Sequence, residues 1–445
     1  MKINYNRFKK YLIVSVLLPL LWACGGGSGG QLTGVLDRTP WYQPDPFGMI
    51  YLPMGSYTMG LNDQDLPFTQ TSTPKTVSVP AFYIDETEIT NNEYRQFVEW
   101  VRDSIARRLL SEEFEQFLIT TDENGNEIEE YADGQLPSLN WDESFEYNDE
   151  EYREALNSMY YEPNDRIYGR KEFDVRQFVY EAAWIDFQAA AMKKDADGND
   201  NRTKSRSSFI RRDKVNIFPD TLAWVHDFTY SFNEPMTNQY FWHPAYDDYP
   251  VVGISWRQAR AFCIWRTRYF NNYQTSIGES MVQDFRLPSE SEWEYASRGG
   301  LDLNPYPWGG PYTRNTRGCF LANFKPLRGN YIDDGGIYTV NAYKYEPNDY
   351  GLYNMSGNVA EWTANAFDES AYQFMHDLSP DYKYEADEND KPTLKRKVIR
   401  GGSWKDVGFY MQNSARTYEF QDTAKCYIGF RCVMSYLGRG KGDNI

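Results

Sequence analysis

From Gly48 to Gly60 (GMIYLPMGSYTMG) apolar positions alternate with small or polar ones and the run ends on glycine, which predicts a strand or hairpin. Val77 to Thr90 (VSVPAFYIDETEIT) repeats the pattern and predicts a second strand region. The period then changes. Glu93 to Arg107 (EYRQFVEWVRDSIAR) sets apolar residues at helical spacing, with Asn91 or Asn92 as its cap. Glu172 to Ala191 (EFDVRQFVYEAAWIDFQAAA) also reads as helical and offers Phe173, Phe178, Val179, Trp184 and Phe187 to a buried face. A strand and turn at 249–256 (YPVVGISW) lead into an amphipathic helix over Arg257 to Arg268 (RQARAFCIWRTR). Phe285 to Gly300 (FRLPSESEWEYASRGG) reads as a strand end, a proline turn and a helix, with Ser289 and Glu292 at capping-box spacing. Beyond Asn304 the pattern is mostly loop threaded with short strands, so ions or disulfides are expected to fix it.

Between these regular stretches, residues 109–247 have another texture. Ser111 to Glu151 is rich in Asp, Glu, Asn and Tyr with no sustained period. Lys193 to Lys214 is basic (Lys193, Lys194, Arg202, Lys204, Arg206, Arg211, Arg212, Lys214), which suits a solvated loop or a docking surface for an acidic partner. Phe218 to Tyr246 is too dense in aromatics for a disordered linker and reads as a structured insertion. Aromatics make up 17% of the chain, and the net charge of −18 excludes nucleic-acid binding, which needs a basic footprint. The N-terminus is an address. Lys2, Arg7, Lys9 and Lys10 precede a short apolar run, Tyr11 to Leu21, that ends in Leu21-Trp22-Ala23-Cys24. That ending resembles the lipobox of bacterial lipoproteins, which implies a signal peptide at 1–23, a lipid on Cys24 and a flexible tether at 24–41. A soluble secreted chain with a chance cysteine is the alternative.

Cys263, Cys319, Cys426 and Cys432 remain, an even number that suggests disulfides in an exported protein. The stretch from Asn348 to Trp362 (NDYGLYNMSGNVAEW) breaks both the helical and the strand period with Gly and Asn. An Asn oxygen, a Glu carboxylate and freed carbonyls make a ligand set for a hard cation, Ca²⁺ above all. A turn held by its own hydrogen bonds fits the same composition.

Together GSYTMG (55–60), FYIDETEITNNEYRQF (82–97), YPVVGISWRQARAFCIW (249–265), RLPSESEWEYASRGG (286–300), PWGG (307–310), ANF (322–324), GLYNMSGNVAEW (351–362), RGGSW (400–404) and IGFRC (428–432) resemble the formylglycine-generating-enzyme/sulfatase-modifying-factor superfamily. The resemblance implies an α+β, irregular, loop-rich C-type-lectin-like fold over 42–107 and 249–437. A large aromatic-rich insertion at 108–248 and a tail at 438–445 complete the chain. It implies one Ca²⁺ held by Asn354 and Glu361 side chains with Gly357 and Val359 carbonyls. A second would be held by Asn323 and Asp334 side chains with Phe324 and Gly336 carbonyls, Asp333 being a rival for Asp334. It further implies a Cys263–Cys432 disulfide, which would leave Cys319 to pair with Cys426. The family's enzymes bind copper through two cysteines after the GGS turn. Here no cysteine lies between Ser403 and Cys426, and Asp406 and Met411 stand near the two positions. A carboxylate and a thioether do not replace a thiolate pair for Cu(I). His226, His243 and His376 lack the spacing of an iron site. The expectation is a pseudoenzyme.

The opening YQPDPFGMIYLPMGSYTMGLNDQD (42–65), Lys171 to Arg176 (KEFDVR) and the run 214–256 are similar to the GldK/PorK lipoproteins of gliding motility and type IX secretion. That similarity implies a non-catalytic structural component, anchored to the periplasmic face of the outer membrane through Cys24. It implies self-association into rings with a GldN/PorN-like partner. A formylglycine-type oxidase and a glycan-binding lectin-like protein are the alternatives.

Overall fold

The structure, a computed structural model, describes residues 42–61, 73–120, 138–195, 198–227, 235–326 and 335–438. Cys24 with its lipobox, the tether through residue 41, residues 121–137 of the acidic stretch, and Asp333 and Asp334 lie outside the described residues. In chain order the strands are β1 (Met49–Leu52), β2 (Gly55–Met59), β3 (Lys75–Val79), β4 (Phe82–Asp85), β5 (Leu118–Ile119), β6 (Ser138–Leu139), β7 (Val179–Ile185), β8 (Ile210–Asn216), β9 (Phe285–Arg286), β10 (Ala360–Ala366), β11 (Arg396–Arg400), β12 (Thr417–Phe420), β13 (Ile428–Gly429) and β14 (Val433–Ser435). The longest helices among the described residues are α1 (Asn91–Leu110), α2 (Trp256–Ser276) and α3 (Glu290–Arg298). One sheet runs β1-β4-β14-β9 and is antiparallel throughout. The other runs β12-β11-β10-β13, with β10 and β13 parallel. Three two-stranded ribbons, β2–β3, β5–β6 and β7–β8, complete the strands, so helices and strands mix as an α+β fold.

Each main helix starts at a reciprocal cap. Thr90, Ser255 and Ser289 accept from the backbone three residues on, where Glu93, Gln258 and Glu292 reach back. For α1 the cap is therefore Thr90, and the expected Asn91 or Asn92 falls inside the helix. Asn91 instead sends its amide to the Tyr240 and Tyr246 carbonyls. The helices meet ring on ring: Tyr94 stacks on Phe262 at 5.6 Å and Phe97 lies 5.1 Å from Trp265.

The same cluster buries Leu156, Met159, Phe178, Tyr180 and Ile217, so the insertion shares the core of residues 44–438 instead of standing apart from it. The helix expected over 172–191 is a correction. Residues 179–185 form β7, paired in seven-residue register with β8, and only a 3₁₀ turn at Val175–Gln177 and the short Phe187–Ala191 are helical. Tyr180 and Ala182 are buried while Val179, Glu181 and Ile185 are exposed, a period of two that the longer helical spacing hid. Three of the run's eight basic residues (Arg211, Arg212 and Lys214) lie on β8, and four of the eight are paired nearby: Arg202 with Asp200 at 2.6 Å, Lys204 with Asp195 at 2.7 Å, Arg211 with Asp186 at 3.4 Å and Arg212 with Glu181 at 3.0 Å.

Helix α3 is buried along its whole length and carries charges into the interior. Glu294 is bound by Arg298 at 2.6 Å and by Arg400, and accepts the Gly60 amide. Glu290 is bound by Arg400 at 3.2 Å and Arg416 at 2.5 Å, and accepts the Tyr372 hydroxyl. The pairs bind the β2 end and β11 to one helix. Among the described residues no helix is long and apolar enough to cross a membrane.

Candidate functional site

The loop at 348–362 is built from its asparagines. Asn348 donates to the Ala296 and Ser297 carbonyls at the end of α3, while its Oδ1 accepts the Tyr350 and Leu352 amides. Asn354 (φ 51°) and Asn358 (φ 62°) hold left-handed backbone, where a short amide side chain is tolerated. Gly357 (φ 79°) is required by contact: a Cβ there would sit 2.4 Å from the Asn323 carbonyl oxygen. That approach lets the Asn358 amide donate to Asn323 O at 2.8 Å, which joins the two expected calcium segments.

The side chains then converge on Glu88. Asn354 Nδ2 donates to one Glu88 oxygen at 3.0 Å and Asn358 Nδ2 to the other at 3.1 Å. Glu88 is fully buried at the end of the β4 segment, and sequence reasoning missed it. It follows Asp85 and Glu86 in the same run, and nothing in the spacing singles it out. Burial pushes its carboxyl up to about 8; the Arg431 charge opposes this and the Glu361 charge adds to it. Glu361 opens β10 and is also fully buried. Its oxygens accept the Arg431 fork at 2.7 and 2.8 Å and the Trp293 indole at 2.7 Å. Arg431 further donates to the Asp85 and Tyr353 carbonyls.

Of the second expected set, Asn323 donates to the Tyr338 carbonyl at 2.7 Å, and Phe324 packs with Tyr306, Phe320 and Met411. Gly336 is described, whereas Asp334 is not, so this set is only partly visible. Both amides face Glu88 with Nδ2, and the buried Thr339 hydroxyl has no well-formed hydrogen bond. Asn354, Gly357, Val359 and Glu361 are the residues that would offer oxygens to a hard cation, while here Asn354 turns its Nδ2 to Glu88 and the Glu361 oxygens take Arg431 and Trp293.

Asp406 is half-buried and accepts the Ser403 hydroxyl at 2.6 Å; burial raises its pKa and that bond opposes the rise. Met411 is fully buried against Tyr306, Phe320, Ala322 and Phe324. His226, His243 and His376 are exposed, and His243 Nδ1 accepts the Ala245 amide of its own turn. No group of three His, Cys, Asp or Glu is placed to hold a metal among the described residues. Cys263 and Cys432 face each other with sulfurs 3.5 Å apart, both buried and unbonded. Cys319 is half-buried before Phe320, while Cys426 lies among Trp224, Val252, Val359 and Trp404, and no bond joins them.

The chain is 34% identical over 203 residues to bovine inactive C-alpha-formylglycine-generating enzyme 2, covering 44% of this chain and 53% of that one. It is 32% identical over 190 residues to the formylglycine-generating enzyme of Streptomyces coelicolor, covering 42% and 52%. The chain thus spans about half the length of the curated relatives it matches. PvdO from Pseudomonas aeruginosa aligns over 87% of this chain and 94% of its own, with a TM-score of 0.44 and 16% identity. A relative named inactive is compatible with a non-catalytic role. The sulfatase-modifying factor enzyme 1-like domain (FGE-sulfatase) matches residues 39–436, and the chain belongs to that family.

Proposed function

We propose that this protein is a non-catalytic structural component of the type IX secretion and gliding machinery. In this reading a lipid on Cys24 holds it to the periplasmic face of the outer membrane, where it forms rings with a GldN/PorN-like partner. The observation that carries the non-catalytic part is the occupancy of the two copper positions. Asp406 is engaged by Ser403, and Met411 is sealed among aromatic rings, so neither presents a soft ligand to a substrate thiol. The secretion part is supported by the similarity of 42–65, 171–176 and 214–256 to GldK/PorK lipoproteins. Structural calcium belongs to the same reading, on Asn354, Gly357, Val359 and Glu361 and on Asn323, Phe324, Asp334 and Gly336. So does a Cys263–Cys432 disulfide, for which the facing sulfurs need only close their 3.5 Å gap. A ring subunit must hold its contacts at fixed angles, which favours a braced scaffold.

Affinity capture of the full chain from a native envelope tests the proposal. A GldN-like protein and high-mass particles are expected in the eluate. Recovery of a lone monomer overturns the ring.

A further inference from the structure

Glu88 is fully buried, yet no ion pair among the described residues includes it. Its neighbours show how such groups are otherwise handled. Asp85 is paired with Arg266 at 2.8 Å and Glu361 with Arg431 at 2.7 Å. A buried carboxylate without a base is neutralised by a proton or by a cation. Two amide groups stand between Glu88 and backbone carbonyl oxygens. Asn354 Nδ2 stands between Glu88 Oε2 and the Ala342 carbonyl, at 3.0 and 2.8 Å. Asn358 Nδ2 stands between Glu88 Oε1 and the Val340 carbonyl, at 3.1 and 3.4 Å. The Tyr240 phenol lies within reach of the Glu88 charge, and the Thr339 hydroxyl beside it is buried without a well-formed hydrogen bond.

Each amide hydrogen pair therefore occupies a gap between an acid oxygen and a carbonyl oxygen. Turning the Asn354 amide by half a rotation exchanges Nδ2 for Oδ1 at the same position, an exchange with little steric demand. The gap then becomes three converging oxygens, from Glu88, Asn354 and Ala342. Glu361, the acid expected to balance a divalent ion in this loop, has its charge already met by the Arg431 fork. A Ca²⁺ at Glu361 alone would face a net neutral pair, and affinity for this ion follows ligand charge.

We infer that Glu88 is an acidic ligand of the calcium bound at the 354–361 loop and supplies the charge that Arg431 cancels at Glu361. The inference rests on the calcium reading given above. It assigns the ion to the junction of β4, the 340–342 segment and the Asn-rich loop, so that one ion ties three distant stretches together.

The test compares the full chain with Glu88→Gln by isothermal titration with calcium chloride and by melting in calcium against chelator. The wild type is expected to bind calcium and to melt higher in its presence. Glu88→Gln is expected to lose at least ~10-fold in affinity and most of the calcium-dependent shift. In chelator it melts at or above the wild type, because an uncompensated buried charge is gone. Should Glu88→Gln fail to fold, Glu88→Asp keeps the charge but withdraws it by one methylene, and a weakened calcium shift is expected there. Unchanged affinity in either variant overturns the role of Glu88 alone. A wild type indifferent to calcium overturns the calcium reading and this inference together.

Discussion

Helix α3 and the β7–β8 ribbon are both crowded with charge, and they treat it in opposite ways. On α3 the Arg298–Glu294 pair is 3% and 0% exposed, and Arg400 reaches both acids from β11 with no exposure at all. On the ribbon the Arg212–Glu181 pair is 67% and 45% exposed. Taking charges from water costs several kcal/mol per ion, so the α3 pairs stabilise only if every partner is in place. Their geometry leaves little freedom: each acid receives two cations, and Arg400 also donates to the Asn413 carbonyl at 2.6 Å. The ribbon meets no such demand. It is fixed by rings instead, with Tyr180 edge-on to Phe97 at 5.3 Å and the Arg260 guanidinium 3.8 Å above Trp184. The α3 pairs are thus held inside a fixed internal arrangement, while those of the ribbon stay at the surface.

The sharpest way to break this contrast is to unpair the core. Arg400→Met leaves Glu290 and Glu294 buried with one cation each, Arg416 and Arg298. It is expected to cost about 3–5 kcal/mol, read from the denaturant midpoint of the purified chain. A loss under ~1 kcal/mol would mean that the buried network adds no more than a surface pair, and the comparison would fail.

A middle effect lies at the seam between the two regions. Lys397 on β11 is buried, donates to the Tyr384 carbonyl at 2.6 Å and sits 3.9 Å over Trp256. Burial pulls its pKa down to about 7; Arg260 and Arg257 push the same way, against Glu385 and Asp422. The sign follows from proton count. Between pH 7 and 10.5 the unfolded chain holds this proton and the folded one does not, so stability from this group rises with pH across that window. The slope is at most about 1.4 kcal/mol per pH unit. Lys397→Met removes it. The variant should be the more stable protein at pH 6, with the gap to the wild type narrowing toward pH 10. Parallel stability curves would show that Lys397 keeps its charge in water.

The sequence carried the core further than the insertion, for a physical reason. The α3 capping box, the glycine after it and the Asn-rich loop are local devices, readable because cap and partner lie three residues apart. The β7 strand is not local. Its seven pairs lie with Ile210–Asn216, inside a run that drew notice for its charge alone. Phe173, Trp184 and Phe187 happen to fit helical spacing, and only the partner strand selects the period of two. Glu88, Arg431 and Trp293 were invisible as a site for a similar reason. Glu88 lies just past β4, Arg431 between β13 and β14 and Trp293 on α3, and they meet only after folding. Asn354 and Glu361 stood out because they share one short loop, and the structure sets both beside partners that loop does not contain.

The smallest effect on stability tests the other half of the comparison. Arg212 and Lys214 share the outer face of β8, with Glu181 opposite Lys214 and in reach of Arg212. One acid between two cations leaves that face with a net positive charge. Because the Arg212–Glu181 pair is solvated, Arg212→Ala together with Lys214→Ala should shift unfolding by no more than ~0.5 kcal/mol. Were this face a docking surface for an acidic partner, the same variant would capture less of it from a native envelope, and the loss would deepen with salt. A variant equal to the wild type in both melting and capture would assign the partner contact elsewhere. A large loss of stability would instead mean that the ribbon's charges hold the fold as those of α3 do. The two regions would then differ in exposure and not in purpose.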